Sequence, residues 1–267
     1  METLLTGLGL PESPRWHDGR LWFANWGTGQ VVTVGRDGGS RVEFEVPTWI
    51  PYSLDWLPDG RALVVSGQER LVLRREHDGA LVRHADLTAF GEVFNEIVVD
   101  GRGNAYVNGG NVVLVTPDGR AAEVARDLAW GNGMAVTADG ATLIVAESHA
   151  NRLTAFDIAG DGGLSGRRVW ADCGDGVPDG VCLDAEGALW YADVPNQRCV
   201  RVREGGEVVQ VVEADRGCFA CMLGGDDGRT LHVLSAVWPG MEAAMKDPGR
   251  TGRVQAVRVP VPHAGRP

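Results

Sequence analysis

Val177-Pro178-Asp179-Gly180-Val181-Cys182-Leu183-Asp184, followed by Ala185-Glu186-Gly187-Ala188-Leu189-Trp190-Tyr191, carries the pattern that organises this chain. A polar residue heads a short apolar run, an acidic glycine turn follows, and a second apolar run ends the phrase. Two such runs joined by an Asp/Gly turn read as a β-hairpin. The phrase recurs around the turn aspartates Asp18, Asp59, Asp100, Asp139, Asp184 and Asp227, at intervals of 41, 41, 39, 45 and 43 residues. Six units of about 42 residues cover nearly all of the 267-residue chain, and a repeat of that length signals a propeller.

A third apolar run follows in most units, as in Gln30-Val31-Val32-Thr33-Val34 and Arg152-Leu153-Thr154-Ala155-Phe156. A more polar fourth run comes next, as in Glu207-Val208-Val209-Gln210-Val211-Val212, whose alternation marks a half-exposed outer strand. The spacing therefore predicts an all-β, six-bladed β-propeller, four antiparallel strands per blade, as one domain over residues 1–267. The last unit has only residues 254–259 after its second strand, before Pro260 and Pro262. Thr3-Leu4-Leu5-Thr6 is the natural strand to complete that blade and remove a raw sheet edge. Met241 to Lys246 predicts a short helical segment inside a loop.

Composition narrows the function classes. A net charge of −11 argues against nucleic acid, whose binding is driven by phosphate neutralisation. No apolar run approaches the roughly 18 residues a membrane span needs. The first residues lack the basic and long apolar regions of a signal peptide. Five cysteines, mostly inside apolar runs, read as reduced thiols, so a cytoplasmic location is expected. Cys218-Phe219-Ala220-Cys221 is a lone Cys-x-x-Cys pair without a following helix pattern, and packed strand cysteines explain it better than zinc or redox chemistry. The 38 glycines are about twice the usual share of about 7%, as many tight turns require.

In an up-and-down blade, residues heading the inner strand and residues ending the second strand ring one mouth of the central channel. The heads are Glu12, Ser53, Asn95 with Glu96, Asn132, Asp179 and Phe219. The second-strand ends include Asn25-Trp26, Gln68, Asn108, Glu147-Ser148-His149 and Asp193. Carboxylate and amide oxygens suit hard divalent cations, and Glu12, Asn132 and Asp179 form a plausible ligand set with Asn95 beside them. Such residues also cap turns before strands, so geometry alone leaves both readings open. Trp26, Trp49, Trp130 and Trp238 fall in loops at the same face. His232 reads as core, while His17, His77 and His84 read as solvated. No Gly-x-Ser-x-Gly elbow surrounds Ser13 or Ser53, so a serine hydrolase triad is not indicated.

Four stretches together carry a family resemblance: Leu10-Pro11-Glu12-Ser13-Pro14-Arg15-Trp16, Gly131-Asn132-Gly133-Met134-Ala135-Val136, Ala146 to Leu153, and Pro178 to Asp184. In order and blade position the chain resembles the regucalcin, gluconolactonase and luciferin-regenerating enzyme family. The resemblance implies a divalent-metal-dependent hydrolysis of a lactone, a sugar lactone or related cyclic ester, at the channel mouth. It implies metal ligands at Glu12, Asn132 and Asp179, with Asp179 also the catalytic base, and Asn95 toward metal and substrate; Glu96, where the family has Asp, and the strand-end residues Glu147 and His149 are further candidates for substrate contact. Ca²⁺ is the first expectation for the cation, with Zn²⁺, Mg²⁺ or Mn²⁺ as alternatives, and a non-catalytic calcium- or small-ligand-binding propeller is the alternative function. A small-molecule lactone is the expected partner of a monomer or small homo-oligomer. The sugar lactonases of the family have an Arg two residues before the Asn matched by Asn95; here that position is Val93. The segment from Trp238 to Arg250 is expected to cover the mouth.

Overall fold

The computed structural model describes residues 1–35 and 38–267. Six four-stranded antiparallel sheets form the blades of a propeller. The inner strands are Leu10–His17, Tyr52–Trp56, Glu96–Val99, Gly131–Val136, Pro178–Leu183 and Gly217–Gly224. In the sixth blade the outermost strand is Glu2–Leu8, paired with Gly252–Arg258, so the two ends of the chain share one sheet. A six-residue helix, Met241–Lys246, lies in the loop before that strand. No helix among the described residues is long and apolar enough to cross a membrane.

The core lies between blades. Ile97, Val99 and Val107 of blade 3 pack on Leu63 and Val65 of blade 2, while Val98 and Tyr106 pack on Met134 and Val145 of blade 4. Successive strand residues point to opposite faces, and here both faces are covered. That is why the inner strands read as unbroken apolar runs and only the outer strands alternate. Cys182, Cys199, Cys218 and Cys221 fill the core between blades 5 and 6 as free thiols. His232 of blade 6 is buried against blade 1, where it stacks on Trp16 at 5.4 Å. His17 and His84, expected in solvent, are half-buried; the His17 ring stacks on Trp56 with centroids 4.2 Å apart, which offsets its lost hydration.

The hairpin turns differ from the sequence expectation in one respect. Only Asp18-Gly19 is a two-residue turn, with φ of 49° and 70°. The other five are four-residue turns in which the amide of a left-handed glycine (Gly60, Gly103, Gly140, Gly187 or Gly228) bonds the carbonyl three residues back. The repeated glycine thus serves the backbone conformation that closes each hairpin.

Candidate metal and substrate site

Four inner strands break their pairing register at the channel mouth: after Glu12 in blade 1, at Asn132-Gly133 in blade 4, at Asp179-Gly180 in blade 5, and at Phe219 in blade 6. A bulge re-aims a side chain that regular pleating would send between the blades. Glu12, Asn132 and Asp179 therefore lie inside their strands at bulges, rather than just ahead of them. Ser13, following Glu12, takes φ of 49°, a left-handed conformation uncommon outside glycine. The glycines after Asn132 and Asp179 permit close approach of neighbouring strands. A Cβ on Gly133 would lie 2.5 Å from the Asp179 carbonyl oxygen, and one on Gly180 would lie 2.5 Å from the Ala220 Cβ. Gly133 thus lets blade 4 close on the Asp179 backbone, and Gly180 lets blade 5 close on blade 6.

A cavity of about 490 Å³ opens here. Glu12, Asn95, Asn132 and Asp179 from four blades line it, with Gln68, Ser148 and His149. Trp26, Trp130 and Trp238 also line it, whereas Trp49 is an exposed residue away from its walls. Phe219 places an aromatic ring where the other bulged strands place an oxygen, and meets Trp238 edge-on at 5.4 Å. Met241 and Met245 close one side, so the segment after Trp238 does cover part of the mouth. Pro248 holds that segment down by packing on Gly27, where a Cβ would lie 2.2 Å from its Cγ.

The polar floor is cross-linked. Asn95 Nδ2 donates to Asn132 Oδ1 at 2.9 Å, and Asn108 Nδ2 donates to the Asn132 carbonyl at 2.5 Å. Ser148 Oγ donates to the Pro178 carbonyl at 2.7 Å and accepts from Asn132 Nδ2 at 3.3 Å, tying blade 4 to the residue before Asp179. The Ser13 amide donates to Glu12 Oε2 at 2.9 Å. Asp179 Oδ1 is buried with no hydrogen-bond partner among the described residues. Burial, the Asp179 charge and the Glu96 charge push Glu12 well above the usual carboxylate range. Burial, Glu96 and Asp193 do the same to Asp179. Two buried carboxylates with no ion pair among the described residues, one carrying an orphaned oxygen, and two amide oxygens beside them make a donor set that fits a hard divalent cation.

Two residues expected at the substrate are elsewhere. Glu96 lies beneath the mouth, where it accepts from Ser13 Oγ at 3.0 Å and pairs with Arg15 at 3.2 Å. Arg15 also donates to the Ile97 carbonyl and lies 3.7 Å from Asp55, so one guanidinium joins blades 1, 2 and 3 under the site. Glu147 is fully buried at the outer side of its strand. It pairs with Arg152 at 3.0 Å and Arg167 at 3.3 Å, and accepts from the Ala129 amide at 2.7 Å. Burial opposes its charge, but the Ala129 amide, Thr154 and Arg152 together pull its carboxyl below the usual range. Asp193, a second-strand end expected to ring the mouth, pairs with Arg198 at 3.0 Å. His149 does reach the cavity and stacks on Trp130 with centroids 5.4 Å apart. Ser148 and Asn108 fall among the second-strand ends expected at the mouth, but the sequence assigns them no role, and it does not single out Arg15. A lone Arg inside the apolar strand Leu10–His17 was the available signal, because a buried guanidinium demands acidic partners.

A six-bladed propeller with an oxygen-lined, half-apolar mouth defines a small-molecule site of a known class. Residues 10–237 match the SMP-30/Gluconolactonase/LRE-like region, and the chain belongs to that family. It is 29% identical to a 6-deoxy-6-sulfogluconolactonase of Pseudomonas putida over 60% of this chain and 56% of that protein. The chain spans about half the length of the first curated relatives it matches. It is 24% identical to a pentonolactonase of Haloferax volcanii over 98% of this chain and 94% of the other. Its fold superposes on a structure described as a calcium-binding protein, regucalcin, from Agrobacterium tumefaciens C58. That superposition has a TM-score of 0.82 at 20% identity, over 99% of this chain and 95% of the other.

Proposed function

We propose that this protein hydrolyses a lactone at the channel mouth with a bound divalent cation. The observation that carries this reading is the pair Glu12 and Asp179: buried, without an ion-pair partner among the described residues, and set against two amides on one cavity. The family and the lactonases among its relatives support the reaction type. Glu12, Asn132 and Asp179 would hold the cation, Ca²⁺ first, which supplies a Lewis acid for the lactone carbonyl. Asp179, with one oxygen free of partners among the described residues, takes the proton of the attacking water. As the acyl–oxygen bond of the ring breaks, that proton goes to the departing alkoxide and the product is a hydroxy acid. Asn95 orients the substrate beside Asn132. Trp130, Trp238 and Met245 shield the reacting groups from bulk water.

The test is hydrolysis followed by acid release in protein stripped with a chelator and then reloaded with Ca²⁺, Mg²⁺, Mn²⁺ or Zn²⁺. Activity is expected only in reloaded protein and is expected to vanish in Asp179→Asn and Glu12→Gln. Turnover that persists after stripping and in both variants sinks the assignment. Cation binding without turnover of any lactone leaves a calcium- or small-ligand-binding propeller instead.

A further inference from the structure

We propose that the site selects lactones bearing an alkyl or aryl substituent and discriminates against polyhydroxylated sugar lactones. The inference rests on the lactonase reading above for the reaction, and on the cavity walls for the substrate. A sugar lactone brings several hydroxyls, each stripped of water on entry and each needing a partner inside. This cavity offers few. No Lys or Arg lines it among the described residues. Ser148 already bonds Pro178 and Asn132, and Asn95 spends one N–H on the Asn132 oxygen, which leaves its own oxygen and second N–H for substrate. Beyond Glu12 and Asp179, which the proposed cation would engage, Gln68 and His149 are the remaining polar side chains on the walls.

The other walls are apolar. Val93, Trp130, Val194, Phe219, Met241 and Met245 face the space above the polar floor. Its volume of about 490 Å³ is in the range that takes a drug-sized ligand, more than a bare lactone ring needs. Met241 and Met245 stand four residues apart on one helix face, and their flexible thioethers mould to tails of differing shape. The Trp130–His149 stack offers a flat face to an aryl group or a ring. Val93 is half-buried in this wall, so the position contributes hydrophobic area and no hydrogen-bond donor.

Two measurements on cation-loaded protein test this. The first compares kcat/KM for δ-decalactone with that for D-glucono-1,5-lactone. The second uses calorimetry to compare binding of the matching non-hydrolysed lactams, 6-pentylpiperidin-2-one and gluconolactam. δ-Decalactone and the pentyl lactam are each expected to be favoured at least about 100-fold. Val93→Arg is expected to narrow both ratios at least about 10-fold by improving the sugar ligand, and Met245→Gln by weakening the alkyl one. Equal or reversed preference in either pair overturns the inference while leaving lactone hydrolysis standing. Preferential binding of the pentyl lactam without turnover of either lactone removes the reaction and keeps the selectivity. Failure of both lactams to bind, with neither lactone hydrolysed, removes both.

Discussion

The buried carboxylates of this propeller divide by position. Away from the mouth each has an arginine: Asp184 pairs with Arg201 at 2.6 Å, Asp193 with Arg198 at 3.0 Å, and Glu147 with Arg152 at 3.0 Å. At the mouth Glu12 and Asp179 have none among the described residues, and burial with neighbouring carboxylates (Asp179 and Glu96 for Glu12, Glu96 and Asp193 for Asp179) raises the proton affinity of each. Burial acts against the charge in both groups, but arginine and hydrogen-bond donors overcome it at Glu147 and nothing overcomes it at Asp179. A fold that supplies cations to its acids elsewhere leaves two acids facing one cavity, and an external cation is the simplest completion.

The largest expected effect breaks the mouth pair. Asp179→Asn is expected to lower kcat/KM at least about 10⁴-fold, since the proposed function gives this one residue both the cation and the proton. Glu147→Gln is expected to hold Ca²⁺ affinity and kcat, because its partners lie outside the cavity. Calorimetric Ca²⁺ titration with steady-state kinetics on both variants checks the contrast, and equal losses in the two would erase it.

The next effect breaks a paired acid. Arg201→Met leaves Asp184 buried and uncompensated, and is expected to cost about 3–5 kcal/mol of stability in urea unfolding. Asp184 lies at the hairpin end of blade 5, away from the cavity, so the folded variant is expected to keep its kcat. A loss under about 1 kcal/mol would mean that the paired group contributes little to the fold.

A buried base sharpens the same comparison with opposite sign. Burial holds His232 down to about 4 in the fold, against a model-peptide value of 6.5. The unfolded chain takes up a proton first, so this contribution is full above pH 6.5 and is lost as pH falls toward 4. The loss is at most about 3 kcal/mol. His232→Phe, which keeps a ring against Trp16, is expected to flatten stability over that window, measured as urea midpoints at successive pH values.

The blade count and the paired ends were legible in the sequence because the strand–turn–strand phrase recurs with its apolar runs intact. Glu12, Asn132 and Asp179 were legible as residues gathered at one mouth because they head that phrase. Glu96 and Glu147 were not. Neighbouring strand residues face opposite ways, so with Asn95 on the cavity Glu96 turns inward to Arg15. Glu147 lies opposite Arg152 in the hairpin register, a local pairing that claims its charge before any ligand does. The four bulges were also hidden. They shift which side chains reach the channel without changing the apolar pattern that marks a strand.

The smallest expected effect separates repulsion from ligation at one residue. Without a cation, the folded Asp179 carboxyl keeps a proton that the unfolded chain has released. Stability of the cation-free protein therefore falls as pH rises from about 4 through the raised folded value. Asparagine has no such proton to lose. In chelator at pH 8, Asp179→Asn is expected to exceed wild type by about 1 kcal/mol, a few degrees of Tm. Ca²⁺ reverses the order: wild type gains about 2.7 kcal/mol at 100 times its Kd, and the variant gains nothing. The order of the two melting curves, read with and without Ca²⁺, is the measurement. A variant less stable than wild type in chelator would show that Asp179 has a protein partner after all, and would move it into the class of Glu147.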